Sequence, residues 1–214
     1  LWTDAGLPAG VINVLTCKSS QSEILLRHPA VKGVTFVGST KVGKHIYEVG
    51  ASNGKRVQAL CEAKNHALVL EDAPITRTAA GIINASFGCA GERCMALPVV
   101  VVQERIADKL VAEIVRMAKQ LKVGPAYDKT TGLGPVVNQA RYDAVVGWIE
   151  KGLAEGATLA LDGRGVKVPG FEKGFYLGPT ILDNVKPGMT VGDIEIFGPV
   201  LCIKRVKDFD EGLA

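Results

Sequence analysis

The chain has 214 residues, enough for one domain with a full core or for two small ones. Its 47% hydrophobic and 22% charged residues are an ordinary globular composition, and its net charge of +3 comes from 25 basic and 22 acidic side chains mixed along the chain. No block of like charges occurs and no apolar run reaches the ~18 residues of a membrane span, so neither nucleic acid nor membrane is an expected partner.

In chain order, Leu1-Trp2-Thr3-Asp4 lacks the basic n-region and apolar run of a signal peptide, and it reads as the end of a helix entered abruptly. Residues 11–15 form an apolar run after a Gly-Leu-Pro-Ala-Gly turn and are expected to be a short buried strand, with a short helix over 21–28. Residues 33–38 read as a strand stopped by Gly38, and residues 41–50 have helical spacing with Val42, Ile46 and Val49 on one face. Residues 57–60 and 67–70 are of strand length, and 75–87 is helix-like. The Val-rich run 97–102 suits a buried parallel strand. Residues 103–121 are the clearest amphipathic helix, with Ile106, Leu110, Ile114, Met117 and Leu121 at three- and four-residue steps. A second helix is expected over 138–156, with Ala140, Val145, Ile149 and Leu153 facing inward. Residues 158–161, 175–177 and 200–206 read as later strands, 163–173 as an exposed loop or hairpin, and 208–214 as the first turn of a helix. Alternating strands and helices predict an α/β fold with a largely parallel sheet. Both termini read as boundaries of a piece of a longer protein.

Five cysteines (Cys17, Cys61, Cys89, Cys94 and Cys202) occur in odd number and irregular spacing, without a Cys-x-x-Cys pair, so neither a zinc ribbon nor a disulfide framework is indicated and no metal is expected. Reduced thiols, mostly buried as small hydrophobes in a cytoplasmic-type compartment, are the simple expectation.

Three constellations stand out. The run Phe36-Val37-Gly38-Ser39-Thr40-Lys41-Val42-Gly43 is a strand, a glycine turn and a helix start. Amide donors at a helix N-terminus suit phosphate, but Ser39 serves equally as an ordinary N-cap, and the Gly-x-Gly-x-x-Gly fingerprint is absent. In Gly91-Glu92-Arg93-Cys94-Met95-Ala96 an arginine adjoins a cysteine and would favour its thiolate. A lone cysteine is otherwise commonly inert, and Cys89 shows how little the local pattern distinguishes. In Glu195-Ile196-Phe197-Gly198-Pro199-Val200 a carboxylate and an aromatic could hold a ribose and pack a ring, or simply open a strand after a Gly-Pro turn.

In order along the chain, these segments resemble the aldehyde dehydrogenase family, together with 5–14, Ala63-Lys64-Asn65 and Leu177-Gly178-Pro179-Thr180. The resemblance covers nearly the whole chain. It implies the family's parallel-sheet catalytic domain (61–214), preceded by the C-terminal part of a Rossmann-like nucleotide-binding domain (1–60). It implies Cys94 as nucleophile, with its backbone amide in the oxyanion site. It implies Ser39 at a cofactor pyrophosphate with Gly38 and Gly43 around that helix start, Glu195 on a ribose, and Phe197 beside the nicotinamide. The usual members carry Glu, in a Glu-Leu-Gly-Gly-Lys run, at the position that is Leu60 here, and that Glu activates the hydrolytic water. The methylmalonate semialdehyde dehydrogenase branch also lacks it, passes its acyl group to coenzyme A, and carries Ala-Lys-Asn-His, matched by Ala63-Lys64-Asn65-His66, with an arginine before the nucleophile, matched by Arg93, on the substrate carboxylate. Leu60 differs from that branch's Asn, and Glu62 from its Gly. His66 is expected to pack or hydrogen-bond rather than act as a base.

The implied enzyme uses NAD to oxidise a small aldehyde such as methylmalonate or malonate semialdehyde, with coenzyme A as co-substrate. As a whole it would be a homo-oligomer, a dimer or tetramer, in the cytoplasm or, in a eukaryote, the mitochondrial matrix. The alternatives are a hydrolytic NAD(P)-dependent enzyme with an altered base, such as Glu62, or an inactive fragment.

Overall fold

A computed structural model describes all residues 1–214, and the chain divides into two compact units, Leu1–Glu62 and Ala63–Ala214. No helix is long and apolar enough to cross a membrane.

In the first unit α1 (Ser19–Arg27) precedes β1 (Gly33–Val37), α2 (Thr40–Ser52) and β2 (Arg56–Leu60), and the two strands pair in parallel from Gly33 opposite Arg56 to Val37 opposite Leu60. A parallel pair needs a crossover, and α2 provides it. The helix lies close to its sheet because Gly43 and Gly50 carry no side chain: a Cβ at Gly43 would fall 2.3 Å from Cys61 Sγ, and one at Gly50 2.6 Å from a Val57 methyl. Lys55 is buried and its ammonium donates to the carbonyls of His28 and Val31 at 2.6 and 2.7 Å, closing the loop before β1.

The expected strand over 11–15 does not form. Residues 12–18 are irregular, and the apolar side chains of Val11, Val14 and Leu15 are exposed. A strand needs a neighbouring edge to pair with, and none meets this run; the Asn13 side chain bonds the Gly10 carbonyl locally instead.

The second unit holds a five-stranded sheet in the order β3-β4-β7-β6-β5, made by β3 (His66–Val69), β4 (Val99–Gln103), β5 (Thr158–Leu161), β6 (Thr180–Asp183) and β7 (Val200–Val206). Every pair is parallel except β5 on β6 at one edge. The inner strands read as unbroken apolar runs because both faces are covered: Val99 to Val102 and Val200 to Ile203 are all buried. The covering helices are α3 (Ile75–Phe87), α4 (Glu104–Ala118) and α5 (Gln139–Ala154), with the short α6 (Thr190–Asp193) and α7 (Phe209–Leu213) near β7.

Helix α4 buries Ala107, Leu110, Val111, Ile114 and Ala118, a face turned slightly from the one read in sequence, so Ile106, Met117 and Leu121 lie at its margin. Glu104 in its first turn and Arg116 in its last complement the helix dipole. Helix α5 begins where the Asn138 side chain accepts from the Arg141 amide at 2.9 Å, an N-cap, and it buries Val145, Ile149 and Gly152 while Ala140 stays exposed.

Residues 175–177 are not a strand. Tyr176 and Leu177 are buried, but the segment is flanked by Gly174 and by Gly178-Pro179, and the strand forms from Thr180 onward, where the ladder to β7 begins. Proline lacks the amide a ladder needs, which moves the strand beyond it.

Candidate functional site

Helix α3 ends at Phe87, and the backbone then makes an unusual turn. Cys89, Ala90 and Gly91 all have positive φ (53°, 55° and 70°). For Cys89 and Ala90 the left-handed region costs roughly 1–2 kcal/mol each, so the packing around them must hold them there. Part of that packing is a close backbone approach: a Cβ on Gly91 would lie 2.2 Å from the Gly198 carbonyl oxygen. Turns closed by Glu92 N–H to Cys89 O and Ala96 N–H to Arg93 O follow, both at 3.0 Å, and they leave Cys94 and Met95 exposed at the tip. The descending limb is tied back to α3 by Leu97 N–H to Ala85 O at 3.1 Å and by the buried Ser86 hydroxyl to Leu97 O at 2.7 Å.

The facing wall comes from the segment between α6 and β7. Phe197 also has a left-handed φ, 54°, before Gly198-Pro199 leads into β7. The two strained segments line one narrow cleft, shared by Cys94, Arg93, Asn65, Glu195 and Phe197. Residues 93–94 and 195–197, a hundred positions apart in sequence, are thus brought together.

Two neighbours in sequence brace this cleft. The Asn65 amide donates to the carbonyls of Cys94 (2.9 Å) and Ala96 (2.8 Å), and the Lys64 ammonium donates to the Ile194 carbonyl at 2.7 Å. Burial pulls the Lys64 amine below its ordinary range. Sequence reasoning used both residues only as family markers; a polar pair at the mouth of a strand was the available signal.

Arg93 lines the cleft, but its guanidinium turns beneath the loop, donates to the Asn84 carbonyl at 2.9 Å and rests against Gly88, while its Nε is buried without a partner. Glu92 accepts weakly from Val137 N–H at 3.4 Å, and burial raises its carboxyl above the ordinary range. His66 opens β3 and its ring pairs with the Lys64 carbonyl at 2.9 Å.

The cysteines correct one expectation: Cys17, Cys61, Cys89 and Cys94 are exposed, and only Cys202 is buried, its thiol pushed up to about 11 by that burial. The exposed four lie in loops or at turns, where an apolar core has no claim on them.

In the first unit Ser39 precedes α2 with extended backbone, yet its hydroxyl makes no capping bond. Its side chain is exposed. A Cβ on Gly38 would lie 2.6 Å from the Phe36 ring, and one on Gly43 would meet Cys61 Sγ, so both glycines let the backbone pack closely here. The α2 N-terminus already attracts an anion: the Glu62 carboxylate accepts from the Thr40 amide at 3.3 Å and the Thr40 hydroxyl at 3.1 Å. Glu62 is thereby engaged as a helix-terminal carboxylate. Leu60 ends β2 with its side chain 52% exposed.

An α/β unit that exposes a cysteine on a strained loop, beside a carboxylate and an aromatic in the same cleft, defines a candidate thiol enzyme. The chain belongs to the aldehyde dehydrogenase family, whose model matches residues 1–214. It is 44% identical, over its full length, to the malonate-semialdehyde dehydrogenase of Pseudomonas aeruginosa, and covers 43% of that protein. It superposes with a TM-score of 0.93 on the methylmalonate-semialdehyde dehydrogenase of Oceanimonas doudoroffii, at 42% identity, covering 99% of this chain and 43% of that one. The same TM-score is found, at 39% identity with coverage of 99% and 43%, for a Sinorhizobium meliloti protein assigned as a methylmalonate-semialdehyde dehydrogenase and solved with NAD. The chain spans a little under half the length of these relatives.

Proposed function

We propose that this chain carries the thiol centre and part of the cofactor site of an NAD-dependent, coenzyme A-acylating semialdehyde dehydrogenase acting on malonate or methylmalonate semialdehyde. The observation that carries the reading is the single cleft shared by Cys94, Glu195 and Phe197. The names of the relatives support the substrate class. The first unit is the C-terminal part of the nucleotide-binding domain, and the second is the catalytic domain.

In this reading Cys94 acts as a thiolate. Its sulfur attacks the aldehyde carbon, forming a C–S bond and a tetrahedral oxyanion that the Cys94 amide helps to stabilise. A bound NAD would supply the hydride acceptor that oxidation of this carbon to a thioester on Cys94 requires. Glu195 holds a ribose hydroxyl of the cofactor and Phe197 packs beside its nicotinamide. In the first unit the Ser39 hydroxyl, with Gly38 and Gly43 shaping the turn and helix, binds pyrophosphate. Arg93 swings outward to pair with the substrate carboxylate. The thiol of coenzyme A then attacks the thioester carbonyl, the C–S bond to Cys94 breaks, and the cysteine leaves as thiolate. Leu60 in place of the family's hydrolytic Glu, and Glu62 tied to Thr40, support acyl transfer to coenzyme A over release by water. The whole enzyme is expected to be a homo-oligomer.

The test is NADH formation by the full-length enzyme from malonate semialdehyde and NAD, with and without coenzyme A. Turnover should require coenzyme A and yield an acyl-coenzyme A. Steady turnover to malonate at the same rate without it would establish the hydrolytic alternative.

A further inference from the structure

We propose that Lys64 and Asn65 are positioning residues that set the two walls of the cleft separately, Asn65 fixing the Cys94 wall and Lys64 the Glu195 wall. The inference rests on the assignment of Cys94 and Glu195 given above. The Cys94 loop closes its own tip with a single turn bond, Ala96 N–H to Arg93 O. Its approach runs through left-handed Cys89 and Ala90, and Cys94 and Met95 are exposed, with little packing to hold them. The carbonyls that bracket Met95, those of Cys94 and Ala96, both point to one donor group, the Asn65 amide, at 2.9 and 2.8 Å. Asn65 stands immediately before β3, so the tip is referred to the sheet rather than to another loop. One planar NH2 group donating two bonds to carbonyls two residues apart holds the 94–95 and 96–97 peptides, and so the backbone that leaves Cys94 on its C-terminal side.

On the other wall, α6 is a four-residue helix that leaves its terminal carbonyls without successors to bond them. The Ile194 carbonyl, one residue before Glu195, takes the Lys64 ammonium at 2.7 Å. Lys64 is half-buried, and that burial lowers its amine from the ordinary range. A long cationic side chain spent on a backbone carbonyl at this point anchors the segment that carries Glu195 and Phe197. Two adjacent residues thus grip opposite walls through different side chains, and each grip can be released without the other.

The test uses the full-length enzyme with Asn65→Asp, which keeps the shape of Asn65 and removes its donors, and Lys64→Met, which keeps the stem of Lys64 and removes its charge. Circular dichroism and Tm establish that each is folded, and Asn65→Ala replaces Asn65→Asp if that variant is not. Iodoacetamide labelling near neutral pH, read by peptide mass spectrometry as the ratio of Cys94 to Cys89 modification, reports the Cys94 wall. NAD titration reports the Glu195 wall. Asn65→Asp should lower the Cys94:Cys89 ratio about tenfold, as the loss of two hydrogen bonds implies, with NAD affinity held within about twofold. Lys64→Met should weaken NAD about tenfold and leave the labelling ratio in place. A general loosening would expose both cysteines and move the two readouts together in both variants, and that result, or no change in either readout, would overturn the proposal. A wild-type ratio near one, by contrast, would overturn the assignment of Cys94 as nucleophile and with it the Asn65 half.

Discussion

The two sheets of this chain differ in sequence and in burial: β1 and β2 mix polar with apolar residues, whereas β4 is an unbroken valine run and β7 opens on four apolar residues. Around β4 and β7 the sheet of the second unit is covered on both faces, and Val99, Val100, Val102, Leu201 and Ile203 lose essentially all contact with water. In the first unit β1 and β2 alternate exposed and half-buried residues, and Leu26 is the one apolar side chain there that is buried. Within these 214 residues two strands and two helices leave most of the first unit's apolar surface uncovered, whereas five strands with three long helices enclose a core. The candidate thiol stands in the unit that can afford strain: three consecutive left-handed residues precede Cys94, and only a well-packed frame keeps such a turn in place.

The largest expected effect concerns chemistry in the packed unit. Cys94→Ala in the full-length enzyme should reduce NADH formation at least about a thousandfold, as removal of a covalent nucleophile does, while Cys89→Ala retains most of it. Equal losses in the two variants would detach the cleft from the chemistry.

Next comes the packing contrast itself. Leu201→Ala, at a fully buried position in β7, should destabilise by about 3 kcal/mol, whereas Leu15→Ala, at an exposed position in the first unit, should cost under about 0.5 kcal/mol. Denaturant unfolding of both variants in the 214-residue chain measures the difference, and comparable costs would show that Leu15 packs into a core there.

Smaller, and specific to the strained loop, is the glycine comparison. Gly91→Ala meets both a positive φ and the Gly198 carbonyl, so it should cost about 2 kcal/mol or more and depress thiol reactivity. Gly54→Ala has a similar φ, 68°, but open space around it, and should cost only about 1 kcal/mol. Thermal unfolding together with Cys94 labelling separates the two.

The smallest effect is one of pH. Burial raises the Glu92 carboxyl above its ordinary 4.5, so its favourable contribution is complete below that value and is lost as pH rises through the raised one. Glu92→Gln should therefore gain stability relative to the native protein between pH 4 and pH 7. A constant difference across that range would mean that burial does not shift the group.

Much of this contrast was legible in the residues. The valine run of β4 announced a strand covered on both faces, and the three- and four-residue steps of α4 announced a helix with one buried face, although the face is turned slightly toward Ala107 and Val111. Periodicity failed where a strand depends on a partner: residues 11–15 have the composition of a strand and no edge to join, and residues 175–177 are displaced by Pro179. The ordered motifs pointed to Cys94, Glu195 and Phe197, and the cleft brings all three together. Hidden from the sequence were the left-handed turn at Cys89 and Ala90, the Asn65 and Lys64 braces, and the bond from Glu62 to Thr40. Each depends on the direction of a backbone carbonyl or amide, which residue identity alone does not specify.

The central claim is that Cys94 carries the acyl group and gives it to coenzyme A. The most direct measurement is peptide mapping of the full-length enzyme after mixing with malonate semialdehyde and NAD, before and after addition of coenzyme A. The account predicts an acyl adduct on Cys94 that disappears as acyl-coenzyme A forms. An adduct on Cys89, or none on Cys94 while NADH is produced, would contradict it.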